Sequence, residues 1–129
     1  MKKKGKLSLE FTLLLFGLFF GVHSLLSDFL SVYENYGVSF GIGGNWTLLV
    51  NIVFVLFIFG FYLKKNFLSL SLLLVGGLVN LIDRLSFGYV RDYWSLGVIV
   101  NNVADWLIGF AVLLFLIEGF YGREIKNSV

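Results

Sequence analysis

Four stretches of nearly unbroken apolar positions dominate the chain, separated by clusters of charge and glycine. They run from about Leu7 to Leu26, Asn45 to Leu63, Phe67 to Leu85 and Val103 to Tyr121, each 19 or 20 residues long. A helix needs about 20 residues to cross the hydrocarbon core of a bilayer. Only helices and closed barrels satisfy every backbone hydrogen bond there, and continuous apolar runs without period-two alternation are not barrel strands. The chain contains no proline to interrupt a helix. The opening Met1-Lys2-Lys3-Lys4 is similar to the charged start of a secretory signal, but no A-x-A-like cleavage site follows. The first stretch is therefore read as a span. The pattern predicts an all-α membrane protein, one domain over residues 1–129, with four transmembrane helices.

Two polar segments connect the spans on one side, Ser27 to Gly44 and Ser86 to Asn102. In the first, Tyr36, Val38, Phe40 and Ile42 alternate with Gly37, Ser39, Gly41 and Gly43. A period of two predicts a short strand or hairpin with one apolar face. The second carries Tyr89, Val90, Tyr93 and Trp94 among charges, and is expected to pair with the first or to lie on the membrane surface. A small β element outside the bilayer is the expectation.

Composition agrees with the pattern. Of 129 residues, 58% are hydrophobic, 19% aromatic and only 14% charged, and the mean hydropathy is +0.89. Soluble domains hold roughly 45–50% apolar residues, and one of this size could not hide the excess. The same figures exclude a disordered chain, a nucleic-acid module and a disulfide scaffold. The absence of cysteine removes thiol catalysis and cysteine–zinc sites.

Net charge is only +2, so placement matters more than sum. Lys2, Lys3, Lys4, Lys6, Lys64, Lys65, Arg123 and Lys126 fall on one side of the four spans, and only Arg84 and Arg91 on the other. The positive-inside rule then puts both termini in the cytoplasm. Trp46, Trp94 and Trp106, with Tyr33, Tyr36, Tyr89 and Tyr93, cluster at the opposite face, while Tyr62 and Tyr121 mark the cytoplasmic ends.

Topology explains most charges and isolates two. Asp83 closes the third span in Asn80-Leu81-Ile82-Asp83-Arg84, and Asp105 opens the fourth in Asn102-Val103-Ala104-Asp105. Because these spans run in opposite directions, both aspartates are expected at one outer depth, each with an asparagine three residues earlier on the same helical face. Ionisable groups at that depth are costly and mark function. A plainer account is available for each: Asp105 complements a helix N-terminus, and Asp83 pairs with Arg84. Two close carboxylates suit water activation, one keeping a proton while the other acts as base. Asn80 and Asn102 would orient the carboxylates or the substrate backbone, and Arg84 would hold an anionic group or a lipid phosphate. The single histidine, His23, has no H-E-x-x-H context, so no metal site and no cofactor are expected. A Ser24 or Ser27 nucleophile beside His23 lacks an elbow motif, and His23 is read as a packed or interfacial residue.

Three motifs in order carry a family resemblance. Gly76-Gly77-Leu78-Val79-Asn80-Leu81-Ile82-Asp83-Arg84, Gly88-Tyr89-Val90-Arg91-Asp92-Tyr93 and Asn102-Val103-Ala104-Asp105 resemble the signature of lipoprotein signal peptidase (signal peptidase II). Asn35-Tyr36-Gly37-Val38-Ser39-Phe40-Gly41 is similar to the family's outer N-x-G-x-x-F-G motif, which brings in Asn35, Gly37 and Phe40. The resemblance implies a four-helix aspartic protease of the bacterial inner membrane, acting at its outer face. It implies Asp83 and Asp105 as the catalytic pair, with Asn80, Arg84, Asn102 and Ala104 in support. The implied substrate is a prolipoprotein cut just before a diacylglyceryl-modified cysteine, and the expected partners are that precursor and membrane lipids, with the enzyme a monomer and no nucleic acid involved. The family usually carries an aspartate and a lysine, four residues apart, near the outer end of the first helix; His23-Ser24-Leu25-Leu26-Ser27 has neither. Arg91 stands where an apolar residue is usual, and Asn101 where an aromatic often precedes the second asparagine. The sequence also accommodates two other classes: a non-catalytic homologue that binds lipidated peptides, and a small transport subunit using the aspartates as a proton or cation site.

Overall fold

The third apolar stretch carries small and polar residues at positions where neighbouring helices can approach. Ser69, Ser71, Gly76, Gly77 and Asn80 place small and polar side chains along it. In the computed structural model, which describes residues 9–37, 46–65 and 67–128, this helix is the central one. Four helices long and apolar enough to cross a membrane are present: α1 (Leu9–Phe29), α2 (Thr47–Lys64), α3 (Leu68–Phe87) and α4 (Val103–Asn127, apolar to Gly122). In the most apolar window of each, 78% of α3 is buried against 11%, 22% and 17% of α1, α2 and α4. The other three pack around α3 and turn Leu14, Leu18, Phe57, Phe110 and Leu113 outward. Exposed faces of this kind are solvated by acyl chains rather than penalised by water, and small residues let the backbones approach.

The approach is closest at the glycine pair. A Cβ on Gly76 would lie 2.6 Å from Ile108 Cγ1 and 3.1 Å from the Ala104 carbonyl oxygen. One on Gly77 would lie 2.9 Å from the Phe54 ring. The pair therefore sets how near α4 and α2 come to α3 at the depth of the polar residues above it. Buried hydroxyls join the helices further along: Thr12 bonds the Tyr62 hydroxyl at 3.0 Å and donates to Ser71 Oγ at 3.2 Å. The start of α3 has no capping side chain of its own. Glu118 of α4 supplies one, accepting from the Leu68 and Ser69 N–H groups at 3.0 and 3.3 Å and from the Ser69 hydroxyl.

At the opposite end of the bundle lie two small antiparallel sheets. β1 (Tyr33–Asn35) pairs with β2 (Val90–Asp92), with Tyr33 opposite Asp92 and Asn35 opposite Val90. β3 (Trp94–Leu96) and β4 (Ile99–Asn101) form a hairpin whose tight turn uses Gly97 at φ +68°. The two segments between spans do pair, but three residues earlier than the alternation at 36–42 implies. The Asn35 side chain accepts the Gly37 N–H at 2.9 Å, a local turn that ends β1 before the alternating stretch begins. Positions 38–45, Phe40 among them, lie outside the described residues. α3 ends at Gly88, whose φ of +81° permits its N–H to bond the Arg84 carbonyl at 2.9 Å.

Candidate active site

Two polar clusters meet where α3, α4 and β2 converge. The first starts from the beginning of α4. Asn102 Oδ1 accepts the N–H groups of Ala104 and Asp105 at 2.7 and 3.2 Å, and the Asp105 carboxylate accepts the Asn102 N–H at 3.3 Å. This reciprocal arrangement is a capping box built from asparagine and aspartate. The N-x-A-D pattern is thus a helix start, and Ala104, fully buried, is the small residue that sits against Gly76.

The amide of Asn102 does more than cap. Its Nδ2 donates to Asp92 Oδ1 at 2.7 Å and to Asn80 Oδ1 at 3.1 Å. Asn80 Nδ2 in turn donates to Asp105 Oδ1 at 3.1 Å, and Asn35 Nδ2 donates to Asp92 Oδ2 at 2.8 Å. Asp92 and Asp105 are therefore held by one asparagine network, with Asp92 fully buried and Asp105 half-buried. Burial, with the charge of Asp105 next, pushes the Asp92 carboxyl up to about 6.

Asp83 belongs to the second cluster. Its Oδ1 accepts from Arg91 Nη2 at 2.9 Å and Nε at 3.2 Å; its Oδ2 accepts the Arg91 backbone N–H at 2.9 Å and lies 2.8 Å from His23 Nε2. The sequence pairs Asp83 with Asp105 because both stand at helix ends on the same side. The structure instead gives Asp83 to Arg91 and His23, because the short β2 strand brings Arg91 back over the end of α3. His23 is packed, as expected, but its ring is part of this cluster rather than a spectator. Its Nδ1 lies 3.2 Å from the Tyr93 hydroxyl, which accepts the Val103 N–H at 3.0 Å. Ser27 donates its hydroxyl to the carbonyls of His23 and Ser24, a helix-internal role.

Arg84 reaches sideways from α3. Nη1 donates to Asn51 Oδ1 on α2 at 2.7 Å and Nη2 donates to the Gly37 carbonyl at 2.6 Å, so Gly37 enters the site through its backbone. Arg84 Nε is buried without a hydrogen-bond partner among the described residues. The Arg84 side chain lines a cavity of about 140 Å³ together with Asn80, Asn51, Thr47, Gly77 and Ile108. On the other side of Asp105 an apolar groove of about 500 Å³ runs down α4 past Trp106, Phe110 and Leu113 beneath Leu96. The site thus gathers Asp105, Asn80, Asn102, Asn35, Gly37 and Arg84 as expected, and adds Asp92, Arg91, Tyr93 and His23. Among the described residues no three His, Asp or Glu side chains gather in a way that would hold a metal ion.

Residues 12–121 match the family described as signal peptidase (SPase) II. The chain belongs to the signal peptidase II family. Curated relatives named lipoprotein signal peptidase include one from Caulobacter vibrioides, 32% identical over 77% of this chain and 68% of that one. Another, from Thermodesulfovibrio yellowstonii, is 34% identical over 74% of each. A solved bacterial membrane enzyme, determined by the in meso method at 2.3 Å, superposes with a TM-score of 0.76 over 92% of both chains at 19% identity. A second, at 1.9 Å, gives 0.68 over 85% of this chain and 92% of that one. The structural likeness establishes the four-helix fold with its small sheets. Family membership makes the protein a multi-pass membrane peptidase, and the polar network at the end of α3 and α4 is its candidate active site.

Proposed function

We propose that this peptidase removes the signal peptide from diacylglyceryl-modified prolipoproteins, cutting before the lipidated cysteine by an aspartic mechanism in which Asp92 and Asp105 are the reacting pair. The observation that carries the reading is Asn102, which binds Asp92 through its side chain and Asp105 through its backbone. Both oxygens of Asp83 are already occupied by Arg91 and His23, leaving it poorly placed to take a proton from water. Asp92 and Asp105 therefore replace Asp83 and Asp105 as the pair, and Asp83 becomes a positioning residue.

Chemistry follows from the different surroundings of the two acids. Asp105, half-buried at the head of the apolar groove, acts as the base and takes a proton from water. The resulting hydroxide equivalent attacks the scissile carbonyl carbon while Asp92, which holds a proton most readily, donates it to the carbonyl oxygen. Collapse of the tetrahedral species breaks the C–N bond: one diol hydroxyl returns its proton to Asp92 as the carbonyl re-forms, and the proton held by Asp105 passes to the leaving amine. Asn80 and Asn102 hold the carboxylates in place. The cavity lined by Arg84 and Asn80 suits a substrate carbonyl, and the groove along Trp106, Phe110 and Leu113 suits the apolar part of the precursor. All groups come from one chain, which supports action as a monomer. The lysine and arginine distribution supports a bacterial inner-membrane location, both termini in the cytoplasm and the site at the outer face.

Cleavage of a diacylated precursor by the full chain in lipid tests the assignment. Asp92→Asn and Asp105→Asn are each expected to lower the rate by about 10²–10⁴-fold, the range for a lost acid or base. Asp83→Asn is expected to cost less, on the order of 10–100-fold through misplacement. A fully active Asp92→Asn variant beside an inactive Asp83→Asn variant would return the pair to Asp83 and Asp105.

A further inference from the structure

Two buried contacts tie the reacting strand and helix to the rest of the bundle, and a single imidazole lies between them. Asp83 accepts the Arg91 backbone N–H, which anchors β2 to α3 one residue before Asp92. The Tyr93 hydroxyl accepts the Val103 N–H, one of the donors at the start of α4 that the helix itself leaves unpaired, two residues before Asp105. His23, fully buried on α1, spans the two with Nε2 at 2.8 Å from Asp83 and Nδ1 at 3.2 Å from Tyr93.

Hydrogen-bond accounting selects one state of this ring. Burial pushes the Tyr93 hydroxyl up to about 12, so it keeps its proton. With the Val103 N–H already donated to its oxygen, that proton has His23 Nδ1 as the acceptor within reach. A bare Nδ1 then leaves the ring proton on Nε2, directed at the Asp83 carboxylate. The opposite tautomer would set a lone pair against that carboxylate and two protons against each other at Tyr93. Arg91 already supplies the countercharge of Asp83, so no imidazolium is required. Buried polar networks are stable only when every member is satisfied, and this assignment satisfies all of them.

We propose that His23 is a positioning residue: a neutral imidazole protonated at Nε2, coupling Asp83 to Tyr93 and so holding β2 and the first turn of α4, with Asp92 and Asp105, in register. The consequence for catalysis rests on the reading of Asp92 and Asp105 as the reacting pair; the state of the ring does not. Because the chain has one histidine, a tag-free sample labelled with ¹⁵N-histidine reports on it without assignment. The expected spectrum in the full protein near neutral pH shows a protonated Nε2 and an unprotonated Nδ1. An imidazolium or an Nδ1-protonated ring would overturn the proposal.

Kinetics provide the second arm. His23→Gln keeps a donor towards Asp83 but offers nothing at the Nδ1 position, and Tyr93→Phe removes the same link from the other side. Each is expected to lower kcat on the order of 10–100-fold with KM little changed, and the double variant to lose no more than the worse single. Independent, multiplying effects, or losses confined to KM, would overturn it. Asp92→Asn separates the two readings: it should lower cleavage by about 10²–10⁴-fold while leaving the histidine spectrum unchanged. Retained cleavage would sink the catalytic pair and leave the ring assignment standing.

Discussion

Asp92, outside the spans, holds its proton well above the usual carboxylate range. Its carboxyl is fully buried, and burial with the charge of Asp105 raises it from 3.8 to about 6. The folded state therefore holds its proton more tightly than the unfolded chain does. Below about pH 4 both states are protonated and burial of Asp92 carries no ionisation cost. As pH rises through 6 the folded state must give up a proton it holds favourably, and stability falls by on the order of 3 kcal/mol. Thermal midpoints in detergent between pH 4 and 7 should decline in the native chain relative to Asp92→Asn. Parallel curves for the two would show that Asp92 is not the raised group.

Among the elements, α3 decides whether the site assembles, because Gly76 sets its distance to α4 and Gly77 its distance to α2. A methyl group on Gly76 would press on Ile108, which can swing away, and on the Ala104 carbonyl, which cannot without moving the start of α4. Gly76→Ala is expected to destabilise by about 1–3 kcal/mol and to lower cleavage by displacing Asp105. Gly17 of α1, with nothing within 4 Å of an added Cβ, is the control. Gly17→Ala should be neutral or stabilising by up to about 1 kcal/mol, since alanine is the better helix former. Equal melting temperatures and activities for Gly76→Ala and the native chain would show that α4 is not set by this contact. The capping box at the start of α4 makes the same point from the other side: Asn102 starts the helix and binds Asp92, so helix formation and site assembly are one event.

For the molecule as a whole, the charge distribution and the sheets give a direction to the bundle. Val98, at the tip of the β3–β4 turn, is 97% exposed, and Lys64 is exposed at the other end. The chain has no cysteine, so single substitutions give clean reporters. A membrane-impermeant maleimide should label Val98→Cys in intact cells, and Lys64→Cys only after the membrane is opened. The reverse pattern would invert the orientation and place the site in the cytoplasm.

Residues with a strong local signal were legible in the chain alone. Four spans follow from the length and hydropathy of Leu7–Leu26, Asn45–Leu63, Phe67–Leu85 and Val103–Tyr121, because lipid leaves an apolar stretch of that length few alternatives. The N-x-x-D and N-x-A-D spacings pointed to the end of α3 and the start of α4, where Asn80, Asn102 and Asp105 share hydrogen bonds and Asn35 and Arg84 lie alongside. Tertiary structure alone decided which carboxylates share a network. β2 is three residues long, too short for its alternation to say that Asp92 faces inward while Arg91 turns to Asp83. His23 is remote in sequence from both its partners, and nothing in a lone histidine on an apolar helix announces them. Hydrophobic length is a property of consecutive residues, and so could be read along the chain; the pairing of buried charges depends on which elements pack together.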